Sequence, residues 1–288
     1  MQAFAAGRLH KSTPTSLLIL PPSGASTAGI LVSSGLDFTV HLTSIPFPPA
    51  PTTAKAVPAE LTPATSLRAH RRGVTSIVAI DSPSQQLLSG SKDGTLRLWD
   101  MTGRQVSAIA SNGLSAVNAL ALPDNNSGSP VVYTALQNGI VELFDMRTRA
   151  SAGRTATGTP LAAVAASESA HEVVAGGTDG VVHIWDARSL GQERMRWRRS
   201  EGSIEGVAVL PSASPALSRV LVGGEDGLPY IAQVGSGGSE KGSSSVSVEA
   251  ELVFGDVEAV RCIRVRAVEG GSEVWMSGDG GVARRYVV

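Results

Sequence analysis

Histidine, cysteine and serine side chains are the first places to look for chemistry in this sequence. The five histidines are His10, His41, His70, His171 and His183. No two of them stand at the short spacing that metal-binding motifs use. A single cysteine, Cys262, excludes an intrachain disulfide and a cysteine-cluster metal site. The sequence also has no Gly-x-Ser-x-Gly elbow and no phosphate-binding loop. We therefore expect no catalytic residue, no metal and no cofactor.

A repeat, rather than a catalytic motif, organises the chain. The segment 89–100, Ser-Gly-Ser-Lys-Asp-Gly-Thr-Leu-Arg-Leu-Trp-Asp, returns as 175–186, and weaker copies cover 34–42, 134–145, 222–231 and 278–286. Each copy has an Asp or Asn at its centre, and successive markers are 41 to 56 residues apart. The markers are Asp37, Asp93, Asn138, Asp179, Asp226 and Asp279. A period of roughly 40–45 residues is typical of four-stranded propeller blades.

Each repeat unit predicts antiparallel strands around a tight turn. The pair Asp93-Gly94 is a hairpin signal, because such turns need a positive φ that glycine adopts freely. The following residues alternate in polarity, as a half-buried strand does. A further strand, 74–80, is repeated at 117–122, 161–165 and 204–210. We predict an all-β propeller of six blade units in one domain, 1–288, with flexible insertions near 46–63 and 235–245.

These residues resemble WD repeats. Ala69-His70, Asp93 and Trp99-Asp100 stand at the Gly-His, turn Asp and Trp-Asp positions of that family. The resemblance implies a buried hydrogen-bond chain of His70, Ser89, Asp93 and Trp99 within the blade. It also gives a structural role to the matching residues of later copies, which are Asp179, Trp185 and Asp226.

Several segments also resemble the proteasomal ATPase-associated factor family. They are 88–100, 113–118, 177–180, 186–189 and 279–286, and they occur in the family's order. This resemblance implies a chaperone that binds an ATPase subunit of the proteasome regulatory particle during assembly of the base. It also implies seven blades, so that an N-terminal blade is missing from the six recognisable here.

Composition and charge narrow the classes of partner. Hydrophobic residues make up 42% of the chain and the mean hydropathy is +0.10, which excludes wholesale disorder. The 24 basic and 25 acidic residues leave a net charge of −1, so no global field favours nucleic acid or an anionic membrane. The longest apolar run near the start, 17–21, is too short to span a bilayer. We expect a cytoplasmic or nuclear protein with a protein partner and no membrane partner, and the balanced charge disfavours a nucleic-acid partner.

Two motifs leave other functions open. The basic run 194–199, Arg-Met-Arg-Trp-Arg-Arg, combines cations with an aromatic residue, which suits RNA, and it also suits a charged outer-edge strand. The segment Trp185-Asp186-Ala187-Arg188 resembles the Trp-Asp-x-Arg box of cullin ubiquitin-ligase substrate receptors. An RNA-associated scaffold and a ligase receptor therefore stand beside the chaperone as alternatives.

Partner contacts are expected in the loops at the turn end of the blades, since loops on a rigid scaffold concentrate recognition. The candidates are the residues that precede the turn markers, with Arg71 directly after His70. They are Leu36, Arg71, Lys92, Gln137, Thr178 and Glu225.

Overall fold

The computed structural model describes residues 5–6, 9–22, 28–46, 59–80, 86–123, 131–212, 217–235, 245–253, 259–268, 271–279 and 283–288. Its residues group into two compact units, Met1–Val117 and Asn118–Val288, here called unit 1 and unit 2. The expected insertions fall mainly on 47–58 and 236–244, which lie outside the described residues. The expectation of a single domain stays a prediction.

Unit 1 contains two four-stranded antiparallel sheets, blade 1 and blade 2, and a short parallel pair. Blade 1 has the order β2-β3-β4-β6, blade 2 the order β7-β8-β9-β10, and β1 pairs with β5. The strands are β1 Ala5–Ala6, β2 Pro14–Leu20, β3 Ala28–Gly35, β4 Thr39–Pro46, β5 Ala59–Glu60, β6 Thr65–Arg68, β7 Val74–Ile80, β8 Gln86–Ser91, β9 Thr95–Asp100 and β10 Gln105–Ala110.

Unit 2 holds the sheets of blades 3 to 6, apart from Val117, the first residue of β11. Each of blades 3 to 5 joins four consecutive strands, and blade 6 joins three in the described residues. The strands are β11 Val117–Ala121, β12 Val131–Leu136, β13 Ile140–Asp145, β14 Ala150–Ala156, β15 Leu161–Ser167, β16 Glu172–Gly177, β17 Val181–Asp186, β18 Ser189–Arg198, β19 Ile204–Leu210, β20 Leu217–Gly224, β21 Tyr230–Gly235, β22 Ser245–Glu251, β23 Val260–Val268, β24 Gly271–Gly278 and β25 Ala283–Val287.

The first strand of five blades carries the same irregularity near its start. In β7 the pairing with β8 shifts between Val74 and Ser76, and β15 shifts in the same way between Leu161 and Ala163. The matching shift occurs in β2, β19 and β23. A bulge bends a strand and increases its twist. Its recurrence at one position shows that the blades are copies of one structural unit.

Apolar side chains of neighbouring blades form the core. In unit 1, Val32 and Leu67 of blade 1 pack in one cluster with Val74, Leu87 and Trp99 of blade 2. All five are at most 3% exposed. Burial of such side chains contributes roughly 1.5–3 kcal/mol each. The loops at the blade ends are therefore held by a packed scaffold.

Six blade sheets confirm the predicted all-β propeller fold class with its six units. The additional N-terminal blade is not among the described residues. The helical structure in the described residues is a 3₁₀ turn, Asn112–Leu114. Within the same residues, none of the helices has the length and apolar character needed to cross a membrane.

Candidate functional site: the turn face of unit 1

A buried hydrogen-bond chain fixes the turn end of blade 2. His70 Nδ1 lies 3.0 Å from an Asp93 carboxylate oxygen, and His70 Nε2 lies 2.8 Å from Ser89 Oγ. The Trp99 indole N–H donates to the same Ser89 hydroxyl at 2.9 Å. The structure therefore brings together the four residues that the WD resemblance links. The chain ties the loop before β7 to the turn between β8 and β9.

The Asp93 carboxylate is the anchor of this chain. Burial raises its pKa, but hydrogen bonds from the Thr95 hydroxyl, the Arg71 backbone N–H and His70 outweigh burial and lower the pKa to about 2. Burial lowers the pKa of His70, against the opposing effect of Asp93. The aspartate is thus ionised at neutral pH, and it holds Arg71 at the surface through the backbone.

Blade 1 repeats this arrangement with one member changed. His10 contacts Asp37 at 3.0 Å through Nδ1 and Ser33 at 2.9 Å through Nε2, as His70 contacts Asp93 and Ser89. Thr43 stands at the position of Trp99, since Leu31 pairs with Thr43 as Leu87 pairs with Trp99. The sequence pattern alone did not assign His10 this role. The spacing along the sequence could have indicated this role. His10 precedes Asp37 by 27 residues, and His70 precedes Asp93 by a similar 23 residues.

A second histidine joins the network of blade 1. The ring centroids of His10 and His41 are 4.7 Å apart, and the ligand atoms of His10, Asp37 and His41 lie within 4.8 Å of one another. These atom types could hold a metal ion. However, the Thr39 hydroxyl oxygen lies among them, at 2.7 Å from Asp37 Oδ1 and 3.1 Å from His41 Nε2. The Thr39 hydroxyl therefore links Asp37 to His41 by hydrogen bonds, and His10 binds Asp37 directly.

The corresponding residues of unit 2 have simpler surroundings. The carboxylate of Asp179 accepts the backbone N–H of Val181, and that of Asp226 accepts the N–H of Leu228, so both close their own turns. Trp185 is 1% exposed, and its ring stacks on that of His183 at a centroid distance of 5.5 Å. The arrangement built on His70 is thus shared by blades 1 and 2 of unit 1.

The loops at the turn end of blades 1 and 2 form one continuous surface. A Cβ on Gly73 would stand 2.7 Å from the Leu36 side chain, and the Lys92 backbone N–H donates to the Gly73 carbonyl at 2.9 Å. Gly94 packs in the same way against the backbone of Leu114. We call this surface the turn face. Its residues are Lys11, Leu36, Phe38, Arg68, Arg71, Arg72, Lys92 and Leu114.

Phe38 is the aromatic residue of the turn face, and like Leu114 it is an exposed apolar residue at a positive φ. Its φ is +69°, in the left-handed region that glycine occupies at the matching turn positions of blades 2 to 5. A non-glycine residue there costs about 1–2 kcal/mol. The side chain is nonetheless 47% exposed, so its packing offsets little of this conformational cost. A bulky residue held in a strained conformation at the surface is typical of functional positions.

The turn face is positively charged. Lys11, Arg68, Arg71, Arg72 and Lys92 are all exposed, and none has an ion-pair partner among the described residues. The net charge of −1 conceals an uneven distribution of charge along the chain. Residues 1–117 carry nine Lys and Arg against five Asp and Glu, whereas residues 118–288 carry 15 against 20. Such charge asymmetry is a feature of proteins that bind polyanions.

Three further predicted contact residues lie in unit 2, where all three are exposed. Gln137 accepts a hydrogen bond from the Asn118 amide at 3.0 Å. Thr178 donates its backbone N–H to Pro160. Glu225 lies 3.7 Å from Arg261, which also binds Asp279 at 2.8 Å. Glu225 thus shares the Arg261 cation with a second carboxylate, that of Asp279.

The basic run 194–199 lies on β18 and just after it, and β18 is the outer strand of blade 4. Arg194 pairs with Glu172, Arg198 with Glu201, and Arg199 with Glu251. Arg199 also lies over the Tyr230 ring at 4.7 Å. Most of these cations are engaged within the chain, as expected for a charged outer strand rather than for a phosphate-binding surface.

The Trp-Asp-x-Arg segment also closes on itself. The Arg188 guanidinium makes two hydrogen bonds to the Asp186 carboxylate, at 3.0 and 2.8 Å. Arg147 and Asp145 form the same bidentate pair in blade 3 without the tryptophan. The pair is thus an ordinary feature of these blade turns and gives the ligase-receptor alternative no support.

Comparison with known proteins agrees with the blade geometry. Residues 61–100, which span the end of blade 1 and most of blade 2, match the family model described as WD domain, G-beta repeat. The chain carries a WD repeat. With its six blades, it has the fold of a WD-repeat β-propeller, a class of scaffold for protein interactions.

Relatives of the chain include proteins named for ribosome biogenesis. It is 30% identical to ribosome biogenesis protein YTM1 of Coprinopsis cinerea over 58% of this chain and 36% of that protein. The ribosome biogenesis protein WDR12 homolog of Oryza sativa is 25% identical over 48% of this chain and 37% of its own length. Autophagy-related protein 16 of Arabidopsis thaliana is 34% identical over 34% of this chain and 20% of its length.

The matches thus span well under half of each of these proteins. The relatives give the resemblance to the proteasomal ATPase-associated factor family no support, because the ribosome-biogenesis proteins appear among them instead.

Proposed function

We propose that this chain is a non-catalytic, RNA-associated WD-repeat scaffold that works in ribosome biogenesis, with a nuclear location. The observation that carries the proposal is its similarity to proteins named for ribosome biogenesis, over up to 58% of the chain. The positive turn face supports it, since ribosomal precursors are polyanions. In this role the chain binds and orients other components and carries out no reaction of its own.

The binding surface of this scaffold is the turn face of unit 1. Arg71 and Lys92 are the strongest anchors, because both are exposed cations on loops fixed by the buried His70 chain. Arginine is prominent among the residues that dominate binding energy, and truncation of such a residue to alanine costs about 2 kcal/mol or more. The exposed loop residues Gln137, Thr178 and Glu225 are the separate contact candidates of unit 2, with mixed polarity.

Affinity purification of the tagged full chain from its own cells tests this function. Sequencing of the recovered RNA and mass spectrometry of the recovered proteins should show precursor ribosomal RNA and ribosomal proteins. A parallel purification of the Arg71→Ala, Lys92→Ala variant should recover less of both. Recovery of proteasomal ATPases, or of a cullin adaptor lost on Arg188→Ala, without ribosomal components would replace the proposal with one of the alternatives.

A further inference from the structure

The turn face of unit 1 offers cations but no available carboxylate. Among the described residues its acidic groups are Asp37 and Asp93, and both are engaged by a histidine and by backbone N–H groups. The five cations around them have no ion-pair partner in the same part of the chain. A ligand of this surface must therefore carry the negative charge itself.

Phe38 lies between two of these cations. Lys11 donates its backbone N–H to Asp37, the residue before Phe38, at 2.8 Å. On the other side, Arg68 pairs in register with Thr39, the residue after Phe38. The turn that carries the exposed ring thus contacts a cationic residue on either side. Single-stranded nucleic acids are bound by this combination, in which a base stacks on the ring and the neighbouring phosphates meet Lys or Arg.

The sequence places the ring there against the preference of the backbone. The matching turns of blades 2 to 5 hold Gly94, Gly139, Gly180 and Gly227, all at positive φ. Charge alone would attract an anion equally well with glycine at position 38. The exposed ring adds a stacking surface, which a nucleic-acid base can use and a phosphate cannot.

We propose that the turn face of unit 1 binds single-stranded RNA, with a base stacked on Phe38 and the backbone phosphates held by Lys11, Arg68, Arg71, Arg72 and Lys92. This inference rests on the proposed function in its choice of RNA, which assigns the anionic ligand to the ribosomal precursor. An acidic peptide is the competing ligand, and it is distinguished by the test below.

Fluorescence anisotropy with the purified full chain and a labelled oligouridylate of about 12 nucleotides tests the proposal, a length within the usual site size for such surfaces. Phe38→Gly should weaken binding about 5- to 100-fold, because stacking is lost, and should leave the salt dependence unchanged. Arg71→Glu with Arg72→Glu should weaken binding and flatten the slope against salt concentration by about 0.7 for each phosphate that the protein no longer neutralises.

Arg104→Glu is the matched control, since Arg104 is an exposed cation of unit 1 that lies in the turn between β9 and β10, at the other end of the blade. It should leave RNA affinity within about twofold of the unmodified chain, because salt at physiological concentration screens a charge at one end of a blade from RNA bound at the other end. The melting temperature of Phe38→Gly should not fall, so weaker binding would not reflect unfolding.

Several outcomes would overturn the proposal. One is the absence of saturable binding to the oligouridylate, and another is binding that Phe38→Gly and the arginine variants do not change. A third is tighter binding of an oligoglutamate peptide than of the RNA, with the same dependence on Phe38. The purification from cells separates the two proposals. Loss of oligonucleotide binding with ribosomal particles still recovered removes only this inference.

Discussion

Phe38 in blade 1 and Gly94 in blade 2 adopt the same left-handed backbone conformation, with φ of +69° and +77°, at equivalent turns. Phe38 therefore carries a conformational cost that Gly94 does not. We expect Phe38→Gly to raise the free energy of unfolding by about 1 kcal/mol. Urea denaturation of the full chain measures this change.

Phe38→Ala is the control for that prediction. It removes the ring as completely but keeps a Cβ, and therefore keeps the strain. If Phe38→Gly were no more stable than Phe38→Ala, the strain at this turn would not exist.

Gly94 is expected to tolerate no side chain. A Cβ there would stand 2.2 Å from the Leu114 carbonyl oxygen, in addition to the positive φ. Gly113 also has a positive φ, +63°, but nothing lies within 4 Å of its Cβ position. Gly94→Ala should cost about 2–4 kcal/mol, and Gly113→Ala only about 1 kcal/mol. Equal losses in the two variants would show that the contact with Leu114 is not tight.

Ser89 satisfies two buried groups at once. Its hydroxyl accepts the Trp99 N–H and contacts His70 Nε2, so Ser89→Ala leaves both without their partner. We expect a loss of about 2–4 kcal/mol in the free energy of unfolding. Ser33→Ala in blade 1 removes the contact to His10 alone and should cost about half as much. A loss in Ser89→Ala no larger than that in Ser33→Ala would contradict the role of Trp99 in the chain.

Stability should fall in two stages as the pH is lowered. Burial lowers the pKa of His70 and His41 from 6.5, so the unfolded chain binds more protons than the folded chain once the pH falls below about 6.5. The folded pKa of Asp93 is about 2 against 3.8, so its contribution is present above pH 3.8 and is lost as the pH falls towards 2.

Urea denaturation at pH 7.5, 5.5 and 3 measures these stages. These pH values lie on either side of the ordinary pKa values of histidine and aspartate, about 6.5 and 3.9. His41→Gln should reduce the loss between the first two pH values and leave the second stage in place. A loss between pH 7.5 and 5.5 that is identical in His41→Gln would assign the first stage to other groups.

The sequence was sufficient for the parts of the fold that follow the repeat closely. Asp93-Gly94 and the alternating strand after it predict the β8–β9 hairpin, and the inner strands 74–80 and 204–210 have the predicted bounds. Local turn chemistry and period-two patterning decide these elements. The same pattern could not predict blade 1 fully, because Phe38 replaces the turn glycine and Thr43 replaces the tryptophan.

The site was less predictable than the fold. Arg71 and Lys92 follow from their places beside repeat markers, but Lys11, Arg68 and Phe38 do not belong to any strong copy of the repeat. Their proximity depends on β6 pairing with β4 and on His10 binding Asp37, which are long-range contacts. The charge of the surface likewise emerges only when residues 1–117 are counted apart from the rest.

Ultraviolet crosslinking of the tagged chain to RNA in its own cells is the decisive experiment for RNA binding at the turn face, because it identifies the RNA and the contact residues together. RNA binding at the turn face predicts crosslinks to precursor ribosomal RNA that map to peptides containing Phe38 and Arg71, with loss of the Phe38 crosslink in Phe38→Gly. Crosslinks confined to the basic strand Ser189–Arg198, or a chain that carries no RNA while it copurifies with another assembly, would contradict it.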